Sequence, residues 1–188
     1  MSFDFQPRDI PEVLLVKGRR FGDARGFFSE TFRAEAFAAG GLPPLVQHNH
    51  SRSQRGVLRG LHYQLEPCPL GKLVRCARGA IFDVAVDVRR GSPTYGRWVA
   101  EELTDEENAM LWVPPGFAHG FLTLSEVADV IYMQSGYWSP DHERSLRWDD
   151  PTVAIDWPFT DGVQLSGKDA AAPRLADIDT NFTYEPGS

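Results

Sequence analysis

The 188-residue sequence predicts an all-β fold, and three observations predict it. Apolar residues recur with a period of two, turn signals interrupt them at short intervals, and only two stretches have helical character. The period is clearest at residues 80–88, where Phe82, Val84, Val86 and Val88 share one face and Asp83 and Asp87 the other. Similar runs stand at 12–17, 26–32, 57–65, 72–77, 97–103, 109–113, 117–124 and 127–135. Gly22-Asp23, Arg90-Gly91-Ser92-Pro93, Pro114-Pro115-Gly116 and Asp149-Asp150-Pro151 mark turns between runs. The helical exceptions are residues 33–39, closed by Gly40-Gly41, and a short stretch after Asp169. Many short strands with few helices mean a sandwich, a jelly roll or a closed barrel. From about residue 160 the alternation fades, which predicts an irregular tail packed over the barrel with its last residues frayed. With no internal repeat and no long linker, residues 1–188 are expected to form a single domain.

Composition excludes several function classes. The net charge is -7, the wrong sign for unspecific binding to nucleic acid, which displaces counterions with an excess of Lys and Arg. No apolar run reaches the length of about 18 residues that spans a membrane. The start, Met1-Ser-Phe-Asp-Phe-Gln-Pro-Arg, lacks the basic and apolar regions of a signal peptide. Cys68 and Cys76 are the only cysteines, which fits reduced thiols better than a disulfide framework. A cytoplasmic protein without membrane or nucleic-acid partners is the expectation.

The densest chemistry lies at 47–64, which includes Gln47, Asn49, Arg59, His62 and Gln64. Strict alternation from Val57 puts Arg59, Leu61 and Tyr63 on one side, and Leu58, Gly60, His62 and Gln64 on the other. A barrel interior holding His62 and Gln64 opposite a glycine reads as a cavity. Taken alone, His62 reads first as a hydrogen-bonded core histidine and only second as a cavity residue. Tyr132 within Val-Ile-Tyr-Met reads as core, Lys72 at a strand start as solvated, and Asp169 as a cap residue.

A second cluster, Pro114-Pro115-Gly116-Phe117-Ala118-His119, carries the Pro-x-Gly-x-x-His pattern of cupin barrels. Gly56 stands where the first cupin motif begins and His62 where its first histidine falls. Gln64 replaces the second histidine, and Cys68-Pro69 replaces the carboxylate. Glutamine is a poor transition-metal ligand, so no metal is expected. His48-x-His50 precedes the wrong strand, in a Ser/Arg/Gln-rich loop. Neither a phosphate-binding loop nor a Gly-x-Ser-x-Gly elbow is present.

Arg59-Gly-Leu-His62-Tyr-Gln64, with Gln47-x-Asn49-x-Ser51 before it and Lys72 after it, resembles the dTDP-4-dehydrorhamnose 3,5-epimerase family. Further matches are Phe21-Gly-Asp-Ala-Arg25-Gly-x-Phe28-x-Glu30, Gly79-x-Ile-x-Asp83-Val-x-Val-Asp87, the His119 motif, Tyr132, Ser139-Pro-x-x-Glu143 and Leu165-Ser-x-Lys168-Asp169. They extend over roughly residues 5–175. The resemblance implies a cupin-like jelly-roll β-barrel with short peripheral helices, acting as a cofactor-free homodimer.

It also implies roles. His62 is the base and Tyr132 the acid on the opposite face of the sugar ring. Asp169 orients His62, Lys72 meets the C4 oxygen as an enolate forms, and His119 supports the network. Arg25 and Arg59 bind the pyrophosphate. Phe28 and Trp138 stack on the base, where many members carry tyrosine in place of Trp138. Gln47, Asn49 and Glu143 offer hydrogen bonds, and Glu30 joins the substrate-binding set. Arg25 and Phe28 come from the neighbouring subunit by exchange of an N-terminal strand. The implied substrate is a dTDP-4-keto-6-deoxyhexose of rhamnose-type deoxysugar biosynthesis, inverted at C3, C5 or both. Two rival readings are a non-catalytic nucleotide-sugar-binding barrel and a metal-dependent cupin enzyme.

Overall fold

A computed structural model describes residues 3–185. Its strands are β1 (Phe3–Pro7), β2 (Leu14–Gly18), β3 (Arg20–Asp23), β4 (Gly26–Ser29), β5 (Gln47–Gln54), β6 (Leu58–Gln64) and β7 (Lys72–Arg78). They continue with β8 (Ala80–Asp87), β9 (Trp98–Thr104), β10 (Ala109–Val113), β11 (Phe117–Thr123), β12 (Val127–Gln134) and β13 (Glu143–Ser145). The two short helices are α1 (Ala34–Ala39) and α2 (Gly167–Ala170).

Six strands form one sheet in the order β1-β2-β10-β7-β12-β5, and five form a second in the order β13-β6-β11-β8-β9. Neighbours pair antiparallel in both, giving the cupin-like jelly roll. Between the sheets lies a core that includes Val74, Ile81, Ala85, Leu103, Leu111, Phe117, Phe121 and Val130. Two outer layers complete the packing. Helix α1 lays Phe37 on Val16, Leu73, Met110 and Trp112 of the six-stranded sheet. The segment after β13 lays Leu146, Val153, Trp157, Leu175, Ile178 and Phe182 on Leu58, Leu61, Val84, Val86 and Leu122 of the other. Burying a large side chain of this kind contributes about 1.5–3 kcal/mol, so the tail is a structural layer.

That layer explains β8. Its two faces are both buried: Val84 and Val86 meet the tail, while Asp83 and Asp87 point inward with no exposed surface. Alternation identified the faces correctly, and the polar one turns out to be the interior.

Some expectations need correction. Residues 47–54 are strand β5, not a loop. Polar residues occupy both faces because one meets solvent and the other a polar cavity. The hairpin turn falls at Ala24-Arg25, with Gly22 and Asp23 inside β3. The second helix begins before Asp169 and contains it. Fraying of the last residues falls at 186–188, outside the described residues. Among the described residues, no helix is long and apolar enough to cross a membrane.

Candidate active site

A cavity of about 640 Å³ opens at one end of the barrel, walled by β5, β6, β7, β11, β12, β13 and the tail segment at 164–169. Ten predicted site residues line it: Gln47, Asn49, Arg59, His62, Lys72, His119, Tyr132, Trp138, Glu143 and Asp169.

Arg59 reaches it against expectation. Alternation holds from Leu61 to Gln64 but breaks at Gly60. Opposite β11, His62 pairs with His119 and Arg59 with Phe121, so β6 counts three residues where β11 counts two. This two-against-one bulge puts Arg59 and His62 on the same side. Leu61 and Tyr63 face the tail together with Leu58.

His62 Nε2 lies 2.6 Å from Asp169 Oδ1. Asp169 is presented by the tail, which is fastened to the strand leading into β6. Gln164 N–H donates to Gly56 O at 2.8 Å, and Leu58 N–H donates to Gln164 O at 3.0 Å. Ser166 then caps α2, its Oγ accepting from Asp169 N–H at 3.1 Å. Burial raises the Asp169 carboxyl pKa, but the hydrogen bond and charge of His62, with Ser166 and the Gly60 amide, outweigh it and the net direction is down. An ionised Asp169 accepts from Nε2–H and leaves the Nδ1 lone pair as the proton acceptor.

Lys72 opens β7, and its Nζ donates to His62 O at 3.2 Å. Burial lowers its pKa to about 8, against the opposing pull of Glu143 and Asp83. His119 Nε2 lies 2.8 Å from Asp83 Oδ1. Burial of His119 outweighs that carboxylate, so its pKa falls and the ring is neutral at ordinary pH. Tyr132 stands on β12 across the sandwich from β6 and β11, its phenol pKa raised by burial. The arrangement offers a base, a half-buried cation and a phenolic donor around one space.

Three predicted residues are not in this cavity. Arg25 lies at the turn of the β3–β4 hairpin, its side chain 90% exposed and paired with Asp23 at 2.5 Å. Phe28 is exposed on β4, and Glu30 follows it, 2.7 Å from Arg33. Gln64 ties the loop after β6 to the loop after β12: its Nε2 donates to Cys68 O at 2.7 Å, and its Oε1 accepts from Ser139 N–H at 2.7 Å. His48 and His50 point outward from β5, and His50 sits 3.3 Å from Asp129. Among the described residues, no group of three or more His, Cys, Asp or Glu side chains is placed to hold a metal.

Sequence reading did not assign roles to Asp83, Ser166 or Lys168. Lys168 lines the cavity and pairs with Glu143 at 2.5 Å. An acid within the apolar run 80–88 was the available signal for Asp83, and Ser-x-x-Asp at 166–169 was the signal for the cap.

Comparison with known proteins gives the arrangement a family. Residues 7–177 match the family described as dTDP-4-dehydrorhamnose 3,5-epimerase. The chain is 52% identical over 182 residues to the enzyme of that name from Sinorhizobium fredii, covering 96% of this chain and 93% of that one. Identity to the one from Pseudomonas aeruginosa is 53% over 172 residues, covering 90% and 94%. The crystal structure of dTDP-6-deoxy-D-glucose-3,5-epimerase from Legionella pneumophila, in complex with dTDP-4-keto-L-rhamnose, superposes with a TM-score of 0.91 at 47% identity, covering 95% of each chain. A 3'-monoepimerase from Streptomyces bikiniensis, in complex with dTDP-quinovose, gives 0.86 at 37% identity, covering 91% and 87%. With sequence, fold and cavity in agreement over nearly the whole chain, this protein belongs to the dTDP-4-dehydrorhamnose 3,5-epimerase family.

Proposed function

We propose that the protein is a cofactor-independent isomerase that inverts C3 and C5 of a dTDP-linked 4-keto-6-deoxyhexose, in deoxysugar biosynthesis of the rhamnose type. The observation that carries this reading is the His62–Asp169 pair facing the cavity that half-buried Lys72 also lines. Similarity to 3,5-epimerases at 52% identity supports inversion of both centres over one alone.

A hydrogen on a carbon beside a ketone is weakly acidic, and its removal leaves an enolate. His62 takes that proton through Nδ1, while ionised Asp169 stabilises the imidazolium that forms. Negative charge grows on the C4 oxygen, where protonated Lys72 meets it. Tyr132 returns a proton from the opposite face, which completes inversion. Neutral His119, held by Asp83, adds a hydrogen-bonding group that does not compete with Lys72 for charge.

Arg59 holds the pyrophosphate, Trp138 stacks on the base, and Gln47, Asn49 and Glu143 bind polar groups of the nucleotide sugar. Arg25, Phe28 and Glu30 serve the site of a second copy in a homodimer. Exposure of Phe21, Phe27 and Phe28 on the hairpin supports this, as do exposed Val46, Tyr137 and Trp138 beside the free edge of β5. Residues 1–188 act as one domain, and the site of action is the cytoplasm.

The test is incubation with a dTDP-4-keto-6-deoxyhexose in D₂O, followed by NMR. Deuterium at both C3 and C5 with inverted configuration is the expected result. Binding without any exchange would make the protein a non-catalytic barrel.

A further inference from the structure

In a regular strand, residues three apart point to opposite faces. Arg59 and His62 are three apart, yet both line the cavity. On the function proposed above, one grips the phosphates and the other takes the proton, so the reaction needs both on one side. We propose that the bulge of Gly60 and Leu61 against Gly120 supplies this, making Gly60 and Gly120 positioning residues of the reaction.

The register locates the change of phase. Leu58 pairs with Leu122 and Arg59 with Phe121, and then the ladder skips to His62 against His119. Leu58 and Leu122 pack under the tail, so the strand is in ordinary phase before the skip. After it, His62 and Gln64 face inward while Leu61 and Tyr63 face the tail. The extra residue therefore changes the phase of β6 between the phosphate-binding and proton-transfer positions.

Only glycine fits on either side of the skip. Gly60 has φ +115°, and a Cβ there would lie 2.6 Å from His119 O and 2.7 Å from Gly120 Cα. A Cβ on Gly120 would lie 2.6 Å from Arg59 O and 2.9 Å from Leu61 Cδ2. Backbone atoms block both positions, so neither collision is relieved by a side-chain rotation. The Gly60 amide also faces Asp169 Oδ2 at 3.5 Å, at the outer limit of a hydrogen bond, which brings the bulge up against the His62–Asp169 pair.

Gly120→Ala forces β6 away from β11 where Arg59 and His62 are held. A shift approaching 1 Å at reacting groups costs on the order of 10²-fold in rate. The control is Gly96→Ala, a glycine with φ +75° whose Cβ would meet only Leu175 Cδ2, outside the cavity. Deletion of Gly60 is the second variant: it leaves Arg59 and His62 two apart, on the same face of a regular ladder.

Per folded molecule, with folding checked by circular dichroism, Gly120→Ala should lose about 10²-fold in kcat and bind dTDP more weakly. Gly96→Ala should stay within about twofold of wild type. The deletion variant should keep dTDP affinity within about tenfold. Either Gly120→Ala or the Gly60 deletion, once folded, decides the matter. Wild-type kcat and KM in Gly120→Ala, or no dTDP binding in a folded deletion variant, overturns the proposal. So does failure of both to fold while Gly96→Ala folds, because the bulge is then a requirement of folding alone. A wild-type protein without exchange activity would instead overturn the underlying function.

Discussion

His62 Nε2 stands 2.6 Å from Asp169 Oδ1, joining the middle of β6 to the single turn of α2 across 107 residues of chain. His62 therefore lies in the barrel, and the carboxylate it meets lies in the tail. Docking of the tail buries Trp157 and Leu175, and the same event brings Asp169 to His62.

Asp169→Asn should preserve the fold, because Ser166 still receives the residue-169 amide and the side chain keeps its size. The amide can turn its NH₂ toward Nε2, favouring the wrong imidazole tautomer, and cannot stabilise imidazolium. We expect kcat to fall by up to about 10⁴-fold, the scale seen when a His–Asp pair loses its charge. Circular dichroism together with steady-state rates checks this. A folded variant with the wild-type rate would remove Asp169 from the mechanism.

Lys72 should set the alkaline limb of activity. Its pKa is lowered to about 8 by burial, so the free enzyme loses the cation as pH rises through that value. The rate measure kcat/KM should decline above about pH 8. The limb in kcat should lie higher, since the C4 carbonyl oxygen of bound substrate accepts a hydrogen bond from the protonated lysine. Stability moves the other way. The unfolded chain holds the Lys72 proton up to about 10.4, so it binds more protons than the folded chain between the two values. The Lys72 contribution to stability therefore rises with pH across that window. Rate profiles and denaturant titrations from pH 7 to 10 check both directions.

A site completed by Arg25 of a second copy, as proposed, predicts complementation between two impaired proteins. Arg25 is exposed and, among the described residues, paired with Asp23 beside it, so Arg25→Ala should leave stability essentially unchanged. Loss of a charged phosphate contact should weaken nucleotide-sugar binding by about 1.5–3 kcal/mol. A mixed dimer of Arg25→Ala and His62→Ala chains contains one site with an intact His62 and an intact Arg25. Co-refolding the two should restore up to half the wild-type activity of each mixed dimer. No recovery in a confirmed mixed dimer would mean that each site draws on one chain.

Chelation should leave the rate unchanged. Gln64, at the cupin ligand position, has its side chain engaged by Cys68 and Ser139. Activity lost to EDTA and regained with a divalent ion would contradict this.

Local patterns revealed the strands, because alternation survives wherever one side of a strand meets an apolar layer. They missed β5, whose sides meet solvent and a polar cavity, and they reversed Arg59, because a bulge changes phase without changing residue types. The partners Asp83 and Asp169 lie 36 and 107 positions from their histidines, beyond the reach of any local period. Ordered motifs named Asp169 through family resemblance. Asp83, within a strand that otherwise reads as plain alternation, needed the fold.

The most direct test compares deuterium entry into a dTDP-4-keto-6-deoxyhexose with wild type, His62→Ala and Tyr132→Phe, all shown to be folded. Without the base no enolate forms, so His62→Ala should lose both exchange and inversion, by about 10²–10⁴-fold. Tyr132→Phe keeps the base and the shape but removes the donor, so exchange at the original face should persist while inversion slows. Wild-type exchange in folded His62→Ala would contradict the account, as would equal loss of exchange and inversion in Tyr132→Phe.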